Sequence, residues 1–514
     1  MSGRRGLALT AVCAVLFLTF LDNTIVSVAL ANMQTDLRAG VTSLQWIVDG
    51  YMLAFTALML TGGTLGDLLG RKRVLLAGIA VFAAGSLLGA LAGSTETLIA
   101  GRVVMGVGAA ACEPGTLSLI RQIYPDRRER ARALGVWTAV SGISLALGPV
   151  FGGVLVAAGG WQNVFWFNLG FGALMFVAAA LTLPESADPE GRRLDLPGLL
   201  AGAVAMGAVT FAVIEGEDVG YGTWWVPLLF ALAAAATVVF VAIERQAPDP
   251  VLRLEFFRRA VFSGATAVAF ATSFGLFAVF FFTALYLQVV ASFSGWKIAL
   301  QFVAMSVAMV AGGLLAGRLT AARGPQLPMS AGCLVAGGAM FGVDALLDPH
   351  VSFAPLAATL AGVGFGLGLA LVAVTAAVLT IVPADRSGMA ASTVNTSREF
   401  GGVLAVATLG AVVNAQIVSD LTRRLVELGV PKVFRDLVIN AVTHGGLPAN
   451  AAQAAAANPL AAKFLAQIQP VIAAAKESFG HGLHVALVVA AAILLLGALV
   501  GAATGSRVRS AELA

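Results

Sequence analysis

Val15-Leu16-Phe17-Leu18-Thr19-Phe20-Leu21-Asp22-Asn23-Thr24-Ile25-Val26 is an apolar run with a carboxylate set into it. It is the middle of a longer stretch, 7–31, that exceeds the roughly 20 residues, at about 1.5 Å rise each, needed to cross a bilayer. A carboxylate at membrane depth costs a few kcal/mol or more. Such a group is there to hold a proton, to pair with a cation, or both. Asp49, Glu113 and Glu399 also fall inside apolar stretches, so four acids sit at predicted membrane depth.

Outward from that stretch the same texture repeats. The chain has 514 residues, 59% of them hydrophobic and 11% charged, with a mean hydropathy of +0.91. Fourteen segments are long and apolar enough to span, near 7–31, 44–66, 74–94, 97–120, 131–157, 162–183, 197–214, 224–243, 260–290, 297–317, 326–347, 353–382, 388–416 and 481–505. The expected fold is therefore all-α and polytopic. Between spans only 417–480 exceeds a short loop. Its Ala-rich second half, broken by Pro459 and Pro470, reads as a helix or hairpin outside the membrane.

Charge fixes the orientation. With a cytoplasmic N-terminus, 21 of the 31 Lys and Arg residues fall on the inner side, including Arg71, Lys72 and Arg73, while the short outer loops hold only Arg38 and Lys297. The positive-inside rule then puts both termini in the cytoplasm. The net charge of +4 comes from these loops and gives no reason to expect nucleic acid. Arg outnumbers Lys 26 to 5, and Ala and Gly are abundant, as in GC-rich bacterial genomes.

Polar stretches divide the chain into a first six-span half (1–186), two inserted spans (187–250), and a second six-span half (251–514) carrying the long outer loop. Two pseudo-symmetric six-helix units around a central site are a known transporter plan. Cys13, Cys112 and Cys333 lie within spans and form no disulfide framework. His350, His444, His481 and His484 lie in outer loops or at a span edge. His481 and His484 are one turn apart, but no partner completes a metal site. No phosphate-binding loop or catalytic constellation is present, so neither an enzyme, a metal nor a cofactor is expected.

Three motifs carry a resemblance. Gly63-Thr64-Leu65-Gly66-Asp67-Leu68-Leu69-Gly70-Arg71-Lys72-Arg73 resembles the loop signature of the major facilitator superfamily. Gly142-Ile143-Ser144-Leu145-Ala146-Leu147-Gly148-Pro149-Val150-Phe151-Gly152-Gly153 is similar to the motif of its antiporters. Leu21 to Val26, with Val28-Ala29-Leu30, resembles the first helix of the fourteen-span drug:proton antiporters, the quaternary-ammonium and multidrug exporters. Arg102 with Gly106 and Gly108, and Trp161 with Phe165 and Asn168, match further motifs. Glu113 departs from the family, which often has an apolar residue before the proline at this place.

The resemblance implies proton-coupled efflux of amphipathic, often cationic drugs or antiseptics across the cytoplasmic membrane, by alternating access and as a monomer in lipid. The alternatives are a dedicated exporter of one metabolite or lipid, and an uptake symporter. It also implies that Gly63, Asp67, Gly70 and Arg71 form an inner gate latch.

Chemistry can be placed by depth. Asp22, Arg102 and Asp49 lie roughly 22, 27 and 25 Å from the inner ends of their spans, which puts them in one layer. Asp22 and Arg102 read either as a proton-coupling pair or as a fixed brace. Asp49 is a helix-start carboxylate or a relay at the outer mouth. Glu113 either meets a cytoplasmic cation or is kept protonated or snorkelled. Arg398 and Glu399 are successive, about 100° apart on a helix, and are expected not to share a face. Gly142, Gly148, Gly152 and Gly153 flatten one side of their span, and Pro149 bends it, which favours close packing that limits proton leak. Phe270, Phe274, Phe277 and Phe281 form one stripe at helical spacing, which would either stack on flat cations or pack.

Overall fold

The computed structural model describes residues 2–185, 195–247, 250, 252–348, 352–381, 387–430, 432, 435, 438–439 and 468–512. Among them there is no β-strand. The first half of the chain forms α1 (Ser2–Ile25), α2 (Leu30–Leu37), α3 (Val41–Leu69), α4 (Arg71–Ala90), α5 (Thr95–Ile123), α6 (Arg127–Gly159) and α7 (Gln162–Thr182). Next come α8 (Leu196–Val219) and α9 (Trp225–Gln246). The remainder is α10 (Ala260–Ala278), α11 (Ala284–Val289), α12 (Gly295–Arg323), α13 (Gln326–Leu346), α14 (Phe353–Ile381), α15 (Ser387–Glu427) and α16 (Ile468–Glu512).

Local chemistry sets several boundaries. Ser94 caps α5 by accepting from the Thr97 amide at 3.3 Å, and Asp195 caps α8 by accepting from the Gly198 amide at 2.9 Å. Pro197, in the first turn of α8, follows at a position that needs no amide hydrogen. The connection between α3 and α4 is the single residue Gly70, at φ +105°, a conformation closed to residues with a Cβ.

Twelve helices among the described residues are long and apolar enough to cross a membrane. The sequence reading expects fourteen. The other two segments correspond to α3 and α6, of 29 and 33 residues, and several of their side chains lie outside the described set. The loop expected at 417–480 is corrected at both ends: α15 runs on to Glu427, and α16 already begins at Ile468. Pro470 falls in the first turn of α16, where a helix tolerates it. Pro459 and His444 lie outside the described residues, as does His350.

The helices pack as two groups with the same internal order. In the first (α1, α3–α7), the second member packs on the fourth, the third on the fourth and sixth, and the first on the fifth and sixth. The second group (α10 and α12–α16, with α11 continuing α10) repeats each of these pairings. Across the groups, α3 meets α15 and α6 meets α12, again second against fifth. The α8–α9 pair leans on α3 and α15.

Glycine makes the tightest pairings possible. A Cβ at Gly62 would run into the Ala110 carbonyl of α5, and one at Gly368 into the Met309 carbonyl of α12. In lipid, where apolar burial does not drive association, such backbone contact holds helices together.

A buried charge layer as the candidate transport site

Asp22 lies three residues before α1 gives way to a 3₁₀ turn, Val26–Val28. It is fully buried, as are Asp49, Arg102 and Glu113, with Glu399 only 3% exposed. Arg102 Nη1 donates to Asp22 Oδ2 at 2.5 Å, and its Nε donates to the Ile47 carbonyl at 2.9 Å. The other oxygen, Oδ1, accepts from Asn168 Nδ2 of α7 at 2.6 Å. Tyr51 lies face-on to the guanidinium at 4.3 Å and donates its hydroxyl to the Thr19 carbonyl at 3.2 Å. Asp22 and Arg102, which the sequence places in one layer without fixing whether they touch, do pair, and the pair is the centre of a network joining α1, α3, α5 and α7.

Asp49 shares this region but not the network. Both its carboxylate oxygens are buried with no hydrogen-bond partner. Glu113 is half-served: Oε1 accepts from Asn395 Nδ2 of α15 at 3.1 Å, and Oε2 is buried without a partner. Pro114, next to it, cannot donate to the Ala110 carbonyl, the very group against which α3 presents Gly62. Trp137 Nε1 of α6 donates to Thr116 Oγ1 at 3.0 Å, and Thr116 in turn donates to the Glu113 carbonyl at 2.6 Å.

Arg398 and Glu399 are successive residues about 100° apart on α15, and the contact between them is what the sequence reading lacks: Nη2 meets Oε1 at 3.3 Å, because a guanidinium on a long stem can fold back to a neighbour on the adjacent face. Glu399 Oε2 also accepts from Asn23 Nδ2 of α1 at 3.4 Å. The Arg398 guanidinium lies 5.2 Å from the Phe20 ring, again on α1. Asp22, Glu113 and Glu399, with Arg102 and Arg398, thus occupy one buried region around Tyr51, and Asp49 is buried on α3 two residues from the Ile47 carbonyl that Arg102 meets. If all four buried acids were ionised, two of them would have no ion-pair partner among the described residues, beside the Arg102–Asp22 and Arg398–Glu399 pairs.

The phenylalanine stripe does not lie on one regular helix. Phe270, Phe274 and Phe277 belong to α10, and Phe281 falls in a π-helical turn, Val279–Thr283. Phe281 is buried and packs edge-on to Phe282 at 4.7 Å. Phe270 contacts Phe274 and Phe400.

In the antiporter-like motif, Gly148 and Gly152 press on Thr24 and Ile25 of α1, with Pro149 inside α6. Gly153 is also buried, and the surroundings of Gly142 lie outside the described set. At the α3–α4 turn a Cβ on Gly63 would touch Pro114, and one on Gly70 would strike Glu185. Glu185 accepts from the Lys72 amide at 3.3 Å and pairs with Arg73 at 3.5 Å. Arg71 is partly buried there, while the Asp67 side chain is not described.

At the end of the bundle that carries α2, the two groups are joined by neutral hydrogen bonds. Gln288 donates to Asn32 at 2.7 Å. Gln45 donates to the Val406 and Ala407 carbonyls at 3.2 and 3.3 Å.

Residues 12–406 match the Major Facilitator Superfamily. The chain belongs to that superfamily. Membership makes it a multi-pass membrane transporter and not an enzyme. Superfamily relatives include the multidrug resistance protein Stp of Mycobacterium tuberculosis, 33% identical over 489 residues, which cover 95% of this chain and 89% of Stp. The tetracenomycin C resistance and export protein of Streptomyces glaucescens is 29% identical, covering 97% of this chain and 91% of that one. Among solved structures, a bacterial homolog of the human lysosomal transporter Spinster, inward-facing and unoccupied, superposes with a TM-score of 0.63 at 17% identity, over 98% of this chain and 99% of that one. This superfamily fold puts the charge layer where the two helix groups face each other.

In the sequence, Asn168 and Asn23 stand out only as members of motifs, and the signal available for Asn395 and Tyr51 is a polar side chain inside a span.

Proposed function

We propose that this protein exports amphipathic, often cationic drugs or antiseptics in exchange for protons, by alternating access between two six-helix halves. The resistance and export proteins among its relatives support the substrate class. The single observation that carries the coupling is the imbalance in the buried layer. An unpaired charge in such a setting is strongly unfavourable, and a proton on an acid, or a bound cation beside it, removes the imbalance equally well. Asp22 has both oxygens satisfied by Arg102 and Asn168 and serves as the conformationally sensitive brace. Asp49 and Glu113, each with an orphan oxygen, hold protons, and Glu399 with Arg398 forms the site of the second half.

In this reading α3 and α6 complete fourteen spans. Residues 1–186 and 251–514 are the two halves, a division that the matching order of helix contacts supports, and 187–250 is an insert. The protein resides as a monomer in the lipid of a bacterial inner membrane, both termini cytoplasmic, as the basic inner loops support. Gly63, Asp67, Gly70 and Arg71 latch the inner side. The test is ethidium movement in proteoliposomes under an imposed pH gradient. Gradient-driven flux in wild type, lost in Asp22→Asn and also in Asp49→Asn, whose fold is expected to stay intact, supports the reading. Absence of flux in wild type, with uptake of a neutral metabolite instead, overturns the cationic substrate class.

A further inference from the structure

Each half's buried acid is held by an amide from the other half. Asn395 on α15 donates to Glu113 on α5 at 3.1 Å; Asn23 on α1 donates to Glu399 on α15 at 3.4 Å. Both acids and Asn23 are buried. The remaining oxygens, Glu113 Oε2 and Asn23 Oδ1, have no partner. The amides are therefore not fillers of a finished network: each spends its N–H on a carboxylate across the interface and little else. From these contacts we infer that Asn23 and Asn395 are positioning residues that make closure of the two halves depend on the charge state of the carboxylate opposite. The inference rests on the proton-coupled reading above.

The physical reason is a difference in bond strength. An N–H donated to an ionised carboxylate is about twice as strong as one donated to a neutral group. While Glu113 and Glu399 are ionised, both amides pull the halves together at this layer. A proton on either acid halves its cross-interface bond and lets the halves part. Closure and ionisation are then linked, and reciprocally each amide favours the ionised form of its acid.

The charged groups facing these acids are few. Arg398 and Glu399 act electrostatically on Glu113, Arg398 acts on Glu399, and Tyr51 stands within the field of Asp22, Arg102, Glu399 and Glu113. Among the described residues, only Asn395 and Asn23 form hydrogen bonds to Glu113 or Glu399 from the opposite half.

The experiment measures distance between the halves without any substrate. Nitroxides are attached at Leu69→Cys, the last residue of α3, and Leu327→Cys, in the first turn of α13, both exposed, with Cys13, Cys112 and Cys333 replaced by alanine. The full chain in nanodiscs is titrated by electron–electron double resonance. Wild type is expected to switch between two distance populations with pH. In Asn395→Ala and in Asn395→Leu, a change of similar size without the N–H donor or a new charge, the midpoint moves upward by roughly half to one pH unit. The sign follows because loss of the donor lets the acid take its proton at higher pH. Asn23→Ala moves the step belonging to Glu399 in the same direction. In a Glu113→Gln background, Asn395→Ala adds nothing.

Folded asparagine variants with an unmoved midpoint overturn the inference alone. So does an equal shift in the Glu113→Gln background, which would mark a purely structural role. A wild type whose distances ignore pH overturns both this inference and the proton-coupled reading.

Discussion

Asp22 and Arg102 exemplify what a buried ion pair does at the scale of one residue. Breaking it from one side strands a charge, which in protein interiors costs about 3–5 kcal/mol, whereas removing both charges is far milder. Asp22→Asn should therefore lower the thermal unfolding temperature, and Asp22→Asn with Arg102→Met should restore most of it without restoring ethidium export. A double variant as unstable as the single one would refute the pairing as an energetic unit. Asp49 predicts the opposite pattern. Its oxygens have no partners to lose, so Asp49→Asn should leave thermal stability unchanged or slightly raised while cutting gradient-driven flux at least about tenfold, the scale of one lost proton site. Unaltered flux would remove Asp49 from the coupling.

At the scale of the element, close approach is the governing fact. Gly148 lies against Thr24 and Ile25, immediately after Asp22 and Asn23, so α6 holds the end of α1 in place. Gly148→Val should drive α1 and α6 apart; overpacking of this kind typically costs about 1–3 kcal/mol. The folded fraction should lose export while Val150→Leu, on the same helix, keeps it; transport assays on purified protein decide. This scale also shows where sequence reasoning succeeds and fails. Apolar length located the long helices, and counting rise per residue put Asp22 in one layer with Arg102, while their contact depends on helix faces that a single sequence does not fix. The π-helical turn was invisible, because Phe270, Phe274, Phe277 and Phe281 keep helical spacing in the sequence and only the backbone hydrogen bonds slip. Asn23 and Asn395 lie 372 positions apart. Nothing in a single sequence reveals that each faces an acid of the opposite half. The contact of Arg398 with Glu399 escaped for another reason: Cα directions do not bound where a long guanidinium side chain ends.

Over the whole molecule, the α2 end is closed by uncharged contacts between the halves. Asn32→Cys with Gln288→Cys replaces the 2.7 Å amide bond by two thiols across the same interface. Oxidation should crosslink them and stop export, and reduction should restore it. Crosslinking that leaves turnover intact would mean that this end does not need to open.

Electrical consequences follow from the charge layer of four acids and two arginines. Moving one elementary charge through the membrane potential is worth about 2.3 kcal/mol per 100 mV. The neutral amides that close the α2 end feel none of it; the buried layer does. Two uncompensated carboxylates can be satisfied by two protons on the way in and by one dication on the way out. That cycle moves no net charge, so a potassium–valinomycin clamp should leave dication export unchanged. A monovalent cation leaving against the same two protons carries one net positive charge inward, and an inside-negative voltage should accelerate it.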